Sequence, residues 1–416
     1  MHALSSRRFG LLSAAMIAGL SFVSPLSAQI AFFNLGSALQ VPTGVSNNGI
    51  VVGTGGITPG NATNARAYRW SEATGAVSLG TLPGDAQSRA VGISADGSVI
   101  AGWSSPNSTV SSPVYRPFVW NSSTGMTDLG LPAGKNTALP SAISGDGSTV
   151  VGRGNITDDF HPEADAFKWT SSGGYELMGN FGHPSGNARG YSAATAVSHD
   201  GSVVAGLATT PTGWTIFRST PGGGMEDLGI TGSQNRVTGM SGDGSTLIGL
   251  GFSRWTESGG LAPLSNAYSD YYGLAMSPRG ITFDGSIIVG GDDYDPLNAF
   301  SRPRHEGFIW TEESGPVAFT AVVAQNYGLG SLLSGWQYLN PLAISEDGRF
   351  ITGVGLYFGD VQTWVLDRGL NPPPILKPDG PPLPETPIPE FSSFGAMGAL
   401  VLLGLIAVRK RRWSRA

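Results

Sequence analysis

The sequence predicts an all-β protein, a seven-bladed β-propeller of four-stranded antiparallel blades followed by one C-terminal transmembrane helix. Three observations support this fold class. A hairpin motif occurs seven times, an apolar segment that usually ends in tryptophan follows nearly every copy, and the two ends of the repeat array complement each other. Repeats of about 40 to 50 residues with several short strands each are typical of propellers.

The hairpin motif is clearest in residues 92–102 (GISADGSVIAG). Its other copies begin at Gly44, Ala142, Ala196, Gly239, Gly280 and Ala343. An Asp-Gly or Asn-Gly pair between short β-branched runs predicts a type I′ turn, because Gly, Asn and Asp tolerate positive φ. We therefore expect seven hairpins, each with this turn.

The second half of each unit repeats as well. Examples of its apolar segment are Ala67-Tyr68-Arg69-Trp70 and Pro117-Phe118-Val119-Trp120, and a Leu-Gly pair such as Leu129-Gly130 usually follows about nine residues after the tryptophan. The fourth unit has Ser219 in place of tryptophan. With the hairpin, these segments predict four strands per unit.

The chain ends predict a closed ring. Residues 30–36 (IAFFNLG) look like the fourth strand of a unit but precede the first hairpin, whereas the last unit stops after its third strand at Leu366. We expect the N-terminal strand to complete the seventh blade. An open solenoid is the alternative, but it would leave two unpaired sheet edges. A helical insertion at 321–328 explains the long spacing before the last hairpin.

Residues 1–28 predict a cleaved signal peptide. Arg7 and Arg8 precede an apolar run from Phe9 to Val23, and small residues lead to a cleavage site after Ala28. The two arginines also suggest the twin-arginine route, but ordinary secretion is favoured because the phenylalanine stands one place early and no cofactor requires folding before export.

The composition of residues 29–408, which lie between the signal peptide and the basic tail and include the predicted propeller at 29–370, excludes some functions. Without the two signal arginines and the five basic residues of the tail, 17 basic residues remain of 24, against 30 acidic ones. A net charge of −13 repels phosphate backbones, so nucleic acid is not an expected partner. The absence of cysteine excludes disulfides and thiolate metal sites.

The C-terminal region has two parts. Residues 371–389 are rich in proline and predict an extended polyproline II linker, about 60 Å long at about 3.1 Å per residue. Residues 390–416 contain an uncharged apolar run from Phe391 to Val408, followed by Arg409-Lys410-Arg411-Arg412. This run is long enough to cross a bilayer, with the basic cluster cytoplasmic and the propeller outside.

Two resemblances follow from these motifs. The Ser-x-Asp-Gly-Ser hairpin with the aromatic and Leu-Gly strands resembles the HAF-type extracellular repeat of bacterial surface proteins, although Arg66-Ala67-Tyr68 and Asp165-Ala166-Phe167 replace the His-Ala-Phe triplet. Pro389-Glu390-Phe391, the apolar run and the basic end resemble the PEP-CTERM sorting signal, in which a second proline stands where this chain has Phe391. These resemblances imply an exported protein without an established catalytic role, and a tail recognised by the membrane protease exosortase in bacteria that make exopolysaccharide. A permanent membrane anchor is the alternative.

The expected binding surface is the end of the propeller with long, variable connections, because recognition residues commonly lie on loops held by a rigid scaffold. Its candidate residues are Trp103, Tyr115, Tyr271, Tyr272, Tyr294 and Trp336, and Trp214 belongs to the same end. Exposed aromatic rings suit stacking on sugars or binding of peptides, whereas rings packed between blades would be structural.

The acidic motifs predict structure rather than catalysis. Asp96 and its counterparts recur on similar turns, whereas a catalytic site needs unlike residues that converge. Asp292-Asp293-Tyr294-Asp295 lacks the remaining ligands of a calcium loop, and the histidines lack metal-ligand spacing. We expect no cofactor and no enzymatic activity. The expected function is that of a surface or matrix protein that binds glycan or another envelope component. The alternative is a glycan-cleaving lyase or hydrolase that uses acids of the loops 157–165 and 292–306.

Overall fold

The computed structural model of the protein describes residues 30–57, 64–106, 114–156, 163–182, 190–231, 236–249, 251–264, 276–291 and 306–376. These residues form seven four-stranded antiparallel sheets, and the predicted seven-bladed β-propeller is thereby confirmed. Six sheets consist of four strands consecutive in the sequence, in the order in which they occur. The seventh combines the last three strands of the chain with the first.

The strands of each blade follow one another from the axis outward. Blade 1 contains β2 (Val41–Val45), β3 (Val51–Gly55), β4 (Arg66–Ser71) and β5 (Gly75–Gly80). Blade 2 contains β6 (Gln87–Ile93), β7 (Ile100–Ser105), β8 (Arg116–Asn121) and β9 (Gly125–Asp128). Blade 3 contains β10 (Thr137–Ile143), β11 (Thr149–Ile156), β12 (Glu163–Thr170) and β13 (Gly174–Gly179). Blade 4 contains β14 (Ser192–Val197), β15 (Val204–Thr210), β16 (Gly213–Thr220) and β17 (Gly224–Thr231).

The remaining blades have the same strand order. Blade 5 contains β18 (Val237–Met240), β19 (Thr246–Gly249), β20 (Ser253–Thr256) and β21 (Gly260–Pro263). Blade 6 contains β22 (Ser277–Ile281), β23 (Ile288–Gly291), β24 (Phe308–Thr311) and β25 (Gly315–Ala318). Blade 7 contains β26 (Trp336–Ile344), β27 (Phe350–Tyr357), β28 (Asp360–Asp367) and β1 (Ala31–Gly36).

The N-terminal strand closes the ring, as the sequence predicts. In the β1–β28 ladder, Ala31 lies opposite Asp367 and Phe33 lies opposite Val365. A hydrophobic cluster then joins blade 7 to blade 1, with Phe350 and Val365 packed against Val51. Six further clusters fill the other six interfaces between neighbouring blades. Each blade therefore buries both of its faces, and burying one large apolar side chain contributes roughly 1.5–3 kcal/mol.

Two residues that recur in the repeat contact each other within a blade: the last glycine of the hairpin motif, in the second strand, and an aromatic residue of the third strand. Gly102 of β7 lies opposite Phe118 of β8, which is fully buried at the interface with blade 1. A Cβ atom on Gly102 would lie 2.2 Å from the carbonyl oxygen of Arg89 and 2.4 Å from the Phe118 ring. In every blade a Cβ atom on the equivalent glycine would lie 2.0–2.2 Å from a carbonyl oxygen in the first strand or, in blade 5, just before it, at Gly53, Gly102, Gly152, Gly206, Gly249, Gly290 and Gly353. The repeat therefore needs glycine at this position because no side chain fits.

The turn between the first two strands differs from the predicted type I′ turn. Gly97 has a φ of 77°, but Asp96 has a negative φ, because among the described residues other than glycine only Phe252 and Phe358 have a positive one. The loop is wider: Ser94 N donates to Val99 O at 2.9 Å, and Gly97 N donates to Ser94 O at 2.9 Å. A hairpin loop that is built on a type I turn needs positive φ only at the residue that follows the two central turn residues, here Gly97. The type I′ prediction is therefore wrong for these hairpins.

The predicted helical insertion between blades 6 and 7 is present. An α-helical turn, α1 (Phe319–Ala321), continues as a π-helical turn (Val322–Asn326), and a 3₁₀ turn (Gly330–Leu333) precedes β26. Phe319 is fully buried and stacks on Trp364 with 5.1 Å between ring centroids. The insertion thus fills the interface between the last two blades.

The first residues of the predicted linker pack against this insertion. Ile375 is buried in the cluster that contains Val322 and Val323, and Asn326 Nδ2 donates to the carbonyl oxygens of Pro374 at 3.1 Å and Leu376 at 3.3 Å. The folded body thus continues to Leu376. The predicted signal peptide with Ala28, the rest of the linker, and the sorting signal with Pro389, Glu390 and Phe391 lie outside the described residues. Among the residues described, no helix has the length and apolar character needed to cross a membrane.

Candidate functional site

The two ends of the propeller differ. One end, which we call the plain face, carries the turns between the first and second strands and between the third and fourth strands of each blade. The other end, the decorated face, carries the remaining connections, which range from the two residues Phe358–Gly359 in blade 7 to residues 319–335 between blades 6 and 7. Ala31 and Asp367 lie opposite each other at the plain-face end of blade 7. The chain therefore enters the propeller at the start of β1 and leaves it at the end of β28, both at the plain face.

A circle of hydrogen bonds connects the first turns of all seven blades at the plain face. Six of these bonds join backbone atoms: Asn47 N to Ala95 O (2.8 Å), Ala95 N to Gly145 O (2.7 Å), Asp146 N to His199 O (2.8 Å), His199 N to Gly242 O (2.8 Å), Asp243 N to Phe283 O (3.1 Å) and Phe283 N to Glu346 O (2.8 Å). Asp347 N completes the circle by donating to Asn47 Oδ1 at 3.2 Å. We call this circle the turn ring.

Two side chains of the turn ring meet across the propeller axis. His199 Nδ1 and Glu346 Oε2 are 2.6 Å apart, although the residues belong to blades 4 and 7. A Cβ atom on Gly145 of blade 3 would lie 2.1 Å from Glu346 Oε1 and 2.3 Å from His199 Nδ1. Blade 7 adjoins neither blade 3 nor blade 4, so the pair lies over the axis. It covers the plain-face end of the axial channel, with the edge of the Phe283 ring packed beside the imidazole at 5.5 Å between ring centroids.

The axial channel above this pair contains a cavity of about 230 Å³. The first strands of all seven blades line it, and their polar side chains include Thr43, Thr195, Thr238 and Arg279. The threonine hydroxyls connect neighbouring blades: Thr43 Oγ1 donates to Ala90 O at 3.2 Å and Thr195 Oγ1 donates to Val237 O at 2.9 Å. The wall is thus polar and braced by hydrogen bonds between blades.

A second cavity, of about 300 Å³, adjoins the first, because Thr43, Val91 and Ser141 line both. Arg89 and Trp103 also line this second cavity, and the Arg89 guanidinium lies over the Trp103 ring at 5.4 Å from its centroid. We call the two cavities together the axial pocket. Its described charged side chains are Arg89, Arg279 and Glu346.

The predicted aromatic residues fall into separate places. Trp103 and Tyr115 meet edge to face in blade 2, with 4.7 Å between ring centroids, and Trp103 is buried rather than exposed, at 9%. Trp336 lies in blade 7, half-buried between Phe32 and Tyr357 at 5.7 and 5.1 Å. Tyr271, Tyr272 and Tyr294 lie outside the described residues.

Among the residues that the structure describes, two exposed aromatic side chains lie at or next to tight turns of the decorated face. Trp214 is 40% exposed beside Tyr191 in blade 4. Phe358, in blade 7, was not predicted; it is 74% exposed and packs against Tyr357 with 4.6 Å between ring centroids. Phe358 forms a two-residue turn with Gly359, and both residues have positive φ, 49° and 88°. Phenylalanine is not a usual residue of such turns, so no sequence signal indicated Phe358.

The aspartates of the first turns accept hydrogen bonds within their own turns. Asp200 Oδ1 accepts hydrogen bonds from the Ser202 amide at 2.9 Å and the Ser198 hydroxyl at 2.7 Å. These bonds lower the pKa of Asp200 to about 2 because they stabilise its charged form. Ser94 and Ser98 surround Asp96 in the same way. Within the described parts of the chain, no cluster of three acidic or histidine side chains could hold a metal ion.

One half-buried carboxyl group, that of Glu306, is different. Burial raises the pKa of Glu306 to about 7, although Glu306 Oε1 accepts hydrogen bonds from the Thr320 amide at 2.5 Å and from the Thr320 hydroxyl. Glu306 thereby caps the first turn of the insertion helix. A carboxyl group with this pKa can also donate a proton near neutral pH.

No protein-family model matches the chain, and no curated protein matches it. Among solved structures, TolB from Acinetobacter baumannii is similar at 14% identity and a TM-score of 0.39, with 79% of this chain and 65% of TolB covered. Oligogalacturonate lyase in complex with manganese is similar at 13% identity and a TM-score of 0.44, covering 82% and 94%. The Cps50 (Swd1) β-propeller domain of Myceliophteria thermophila is similar at 10% identity and a TM-score of 0.42, covering 81% and 99%. We draw no functional conclusion from likenesses this distant.

Proposed function

We propose that this protein is an exported binding module of the cell surface or extracellular matrix, and that its ligand is a glycan or another envelope component. The observation that carries this proposal is the difference between the two ends of the propeller. The His199–Glu346 pair covers the axis at the plain face. The chain enters the propeller at Ala31 and leaves it at Asp367, both at this face. The decorated face is then directed away from any tether, with the axial pocket, Phe358 and Trp214 on that side of the turn ring.

The proposed attachment follows from the tail. Residues 371–376 pack against the insertion, so a linker that continues from Leu376 starts at a fixed point of the propeller. In this proposal, residues 377–389 extend from the propeller to the membrane and residues 390–416 form the sorting signal and transmembrane helix. An exosortase-type enzyme is the proposed partner at Pro389-Glu390-Phe391. The propeller is membrane-held on the periplasmic side until the tail is processed and is then released to the surface or matrix.

Binding of the producer's own exopolysaccharide tests this function. Residues 29–376 contain the closed ring and all seven interface clusters, so this fragment should fold without the tail. We expect it to co-sediment with the polysaccharide and Phe358→Ala to weaken the binding, since sugar rings stack on exposed aromatic faces. Leu332→Ala is the control, because Leu332 is also exposed, at 49%, but is not aromatic. Absence of binding by the unmodified fragment would contradict the proposal.

The second candidate function is cleavage of a glycan, and Glu306 is the observation that favours it. Its pKa near 7 suits a general acid that protonates the leaving oxygen of a glycosidic bond. Incubation of the fragment with the polysaccharide would then release new reducing ends or unsaturated products, and Glu306→Gln would abolish this release. A fragment that binds the polysaccharide and leaves its chain length unchanged excludes this candidate.

A further inference from the structure

We propose that the decorated-face end of blade 7 is a glycan-binding site and that it binds an uncharged sugar chain. The site combines a row of aromatic rings, which ends at Phe358, with polar side chains of the third and fourth strands of this blade. We call it the blade 7 platform. This inference rests on the proposed glycan-binding function and specifies both the site and the ligand class.

The aromatic row consists of four rings, each close to the next. Measured between ring centroids, Phe358 lies 4.6 Å from Tyr357, Tyr357 lies 5.1 Å from Trp336, and Trp336 lies 5.7 Å from Phe32. Exposure falls along the row, because Phe358 is 74% exposed and the other three residues are half-buried. The row therefore offers open ring surface at one end and is anchored in the fold at the other.

Phe358 has a backbone conformation that phenylalanine rarely adopts. Its φ is 49°, and of the other described residues with a side chain only Phe252, with a φ of 68°, is also positive. Phe252 lies in the equivalent connection of blade 5, where its ring is 9% exposed and packs on Phe308 at 5.1 Å between centroids. Burial offsets the backbone strain at Phe252, whereas most of the Phe358 ring contacts water. Strain that internal packing does not explain is typical of functional positions.

The Phe358 ring is exposed and yet held in place. Phe358 N donates a hydrogen bond to Gly335 O at 2.8 Å. A Cβ atom on Gly335 would lie 2.6 Å from Cε2 and 2.7 Å from Cζ of the Phe358 ring, so the ring packs against a position that only glycine leaves open. Because the ring is positioned before a ligand arrives, stacking on it costs little conformational entropy.

Polar side chains of β28 lie beside the aromatic row. Asp360 is exposed and lies directly opposite Tyr357 in the ladder. Gln362 lies opposite Gly355, and a Cβ atom on Gly355 would lie 2.8 Å from Cε3 of Trp336, so the Trp336 ring covers this glycine. Residues opposite each other in antiparallel strands share one face of the sheet. The carboxylate and the carboxamide therefore adjoin the rings.

This combination favours an uncharged sugar chain. Gln362 Oε1 accepts a hydrogen bond from Asn34 Nδ2 at 2.6 Å, which fixes the orientation of the Gln362 amide and leaves Nε2 as a donor. Amide and carboxylate groups bind sugar hydroxyls, and aromatic rings stack on the apolar faces of sugar rings. The charged member of this set is the Asp360 carboxylate, which repels an anionic sugar. An exposed carboxylate beside the rings also disfavours a protein partner, because the core of a protein interface is depleted of charged residues.

The test uses the producer's own polysaccharide, separated by anion exchange into a neutral and an acidic fraction. Co-sedimentation of fragment 29–376 with each fraction would measure its affinity. We expect tighter binding of the neutral fraction, and added salt should reduce the difference because it screens the repulsion by Asp360. Gln362→Ala should weaken binding of the neutral fraction about fivefold, as expected for the loss of one neutral hydrogen bond.

Phe358→Gly and Phe252→Gly are a matched pair, because each replaces a phenylalanine of positive φ with the residue that adopts this conformation freely. Phe358→Gly should weaken binding of the neutral fraction about three- to tenfold with little change in melting temperature, since the lost ring is mostly exposed. Phe252→Gly should lower the melting temperature, since its ring is buried, and leave the affinity unchanged. Phe358→Tyr keeps the ring and should bind like the unmodified fragment.

Each other outcome would overturn a stated part of the inference. Equal affinity of Phe358→Gly and the unmodified fragment would exclude the blade 7 platform, and binding of the acidic fraction alone would exclude the ligand class. The glycan-binding function would stand in both cases. Dimers of the fragment that Phe358→Gly converts to monomers would instead assign the rings to contact with a second copy of the chain. Binding of neither fraction would refute both the site and the proposed function.

Discussion

Replacing Gly206 with alanine tests why the repeat has glycine in its second strand. A Cβ atom at this position would lie 2.0 Å from the carbonyl oxygen of Ala193 and 2.9 Å from Cα of Ala194, both in the backbone of the neighbouring strand. No side-chain rotation relieves that overlap. β14 must move away from β15 at the register shift between Ala194 and Ala196, and hydrogen bonds of this ladder are then lost.

The magnitude follows from the contacts that break. Overpacking of a tight site costs roughly 1–3 kcal/mol, and each buried backbone group left without a partner costs roughly 1–3 kcal/mol. We expect Gly206→Ala to reduce the free energy of unfolding by about 3–5 kcal/mol in equilibrium urea denaturation of fragment 29–376. Gly330→Ala is the control, because its Cβ atom would meet no atom closer than 3.6 Å. It should change stability by less than about 0.5 kcal/mol. A Gly206→Ala variant as stable as this control would refute the reasoning.

Three further predictions concern the first turns of the blades, the N-terminal strand β1 and residues 371–376. Asp200→Asn should flatten the acid dependence of unfolding: a folded-state pKa of about 2 gives stability that is present above about pH 4 and is lost as the pH falls toward 2, and Asn48 already makes the same turn in blade 1 without a charge. Urea titrations between pH 2 and pH 6 would measure this, and parallel curves for the two proteins would contradict it. Phe32→Ala should cost about 2–3 kcal/mol and lower the melting temperature, because the ring stacks on Trp364 at 5.7 Å; no change in melting temperature would show that the contact is dispensable. Ile375→Asp should expose residues 371–376 to limited proteolysis, whereas Leu376→Asp should not, since Leu376 is 55% exposed; equal cleavage of both variants would argue against docking of the tail.

The architecture was predictable because it is repeated. Seven hairpin motifs became seven first turns, and the unmatched strands at the two ends met in blade 7. The recurring aromatic residue of the third strand was visible in the sequence. In the last blade Trp364 takes the position of phenylalanine, opposite Gly353. What the pattern did not reveal was the physical reason for the second-strand glycine, which depends on a carbonyl group of the adjacent strand.

The candidate site was less predictable because it depends on where the repeats differ. His199 and Glu346 are 147 residues apart and occupy the variable position of the turn motif, where other blades have Ala95 or Gly145. Only ring closure brings them together. The exposure of aromatic residues also depends on neighbours: Trp103 is buried beside Tyr115, whereas Phe358, on a turn that few phenylalanines adopt, is exposed.

A disulfide between the first and last strands tests ring closure most directly, and the axial pocket and the two faces depend on that closure. The chain has no cysteine, so Phe33→Cys with Val365→Cys introduces one defined pair at residues that lie opposite each other. Oxidation should give a monomeric, intramolecular disulfide on non-reducing electrophoresis and raise the melting temperature, whereas Phe33→Cys with Leu366→Cys should not, because neighbouring residues of a strand point to opposite faces. Free thiols or only intermolecular dimers in the first variant would contradict a ring sealed by its N-terminal strand.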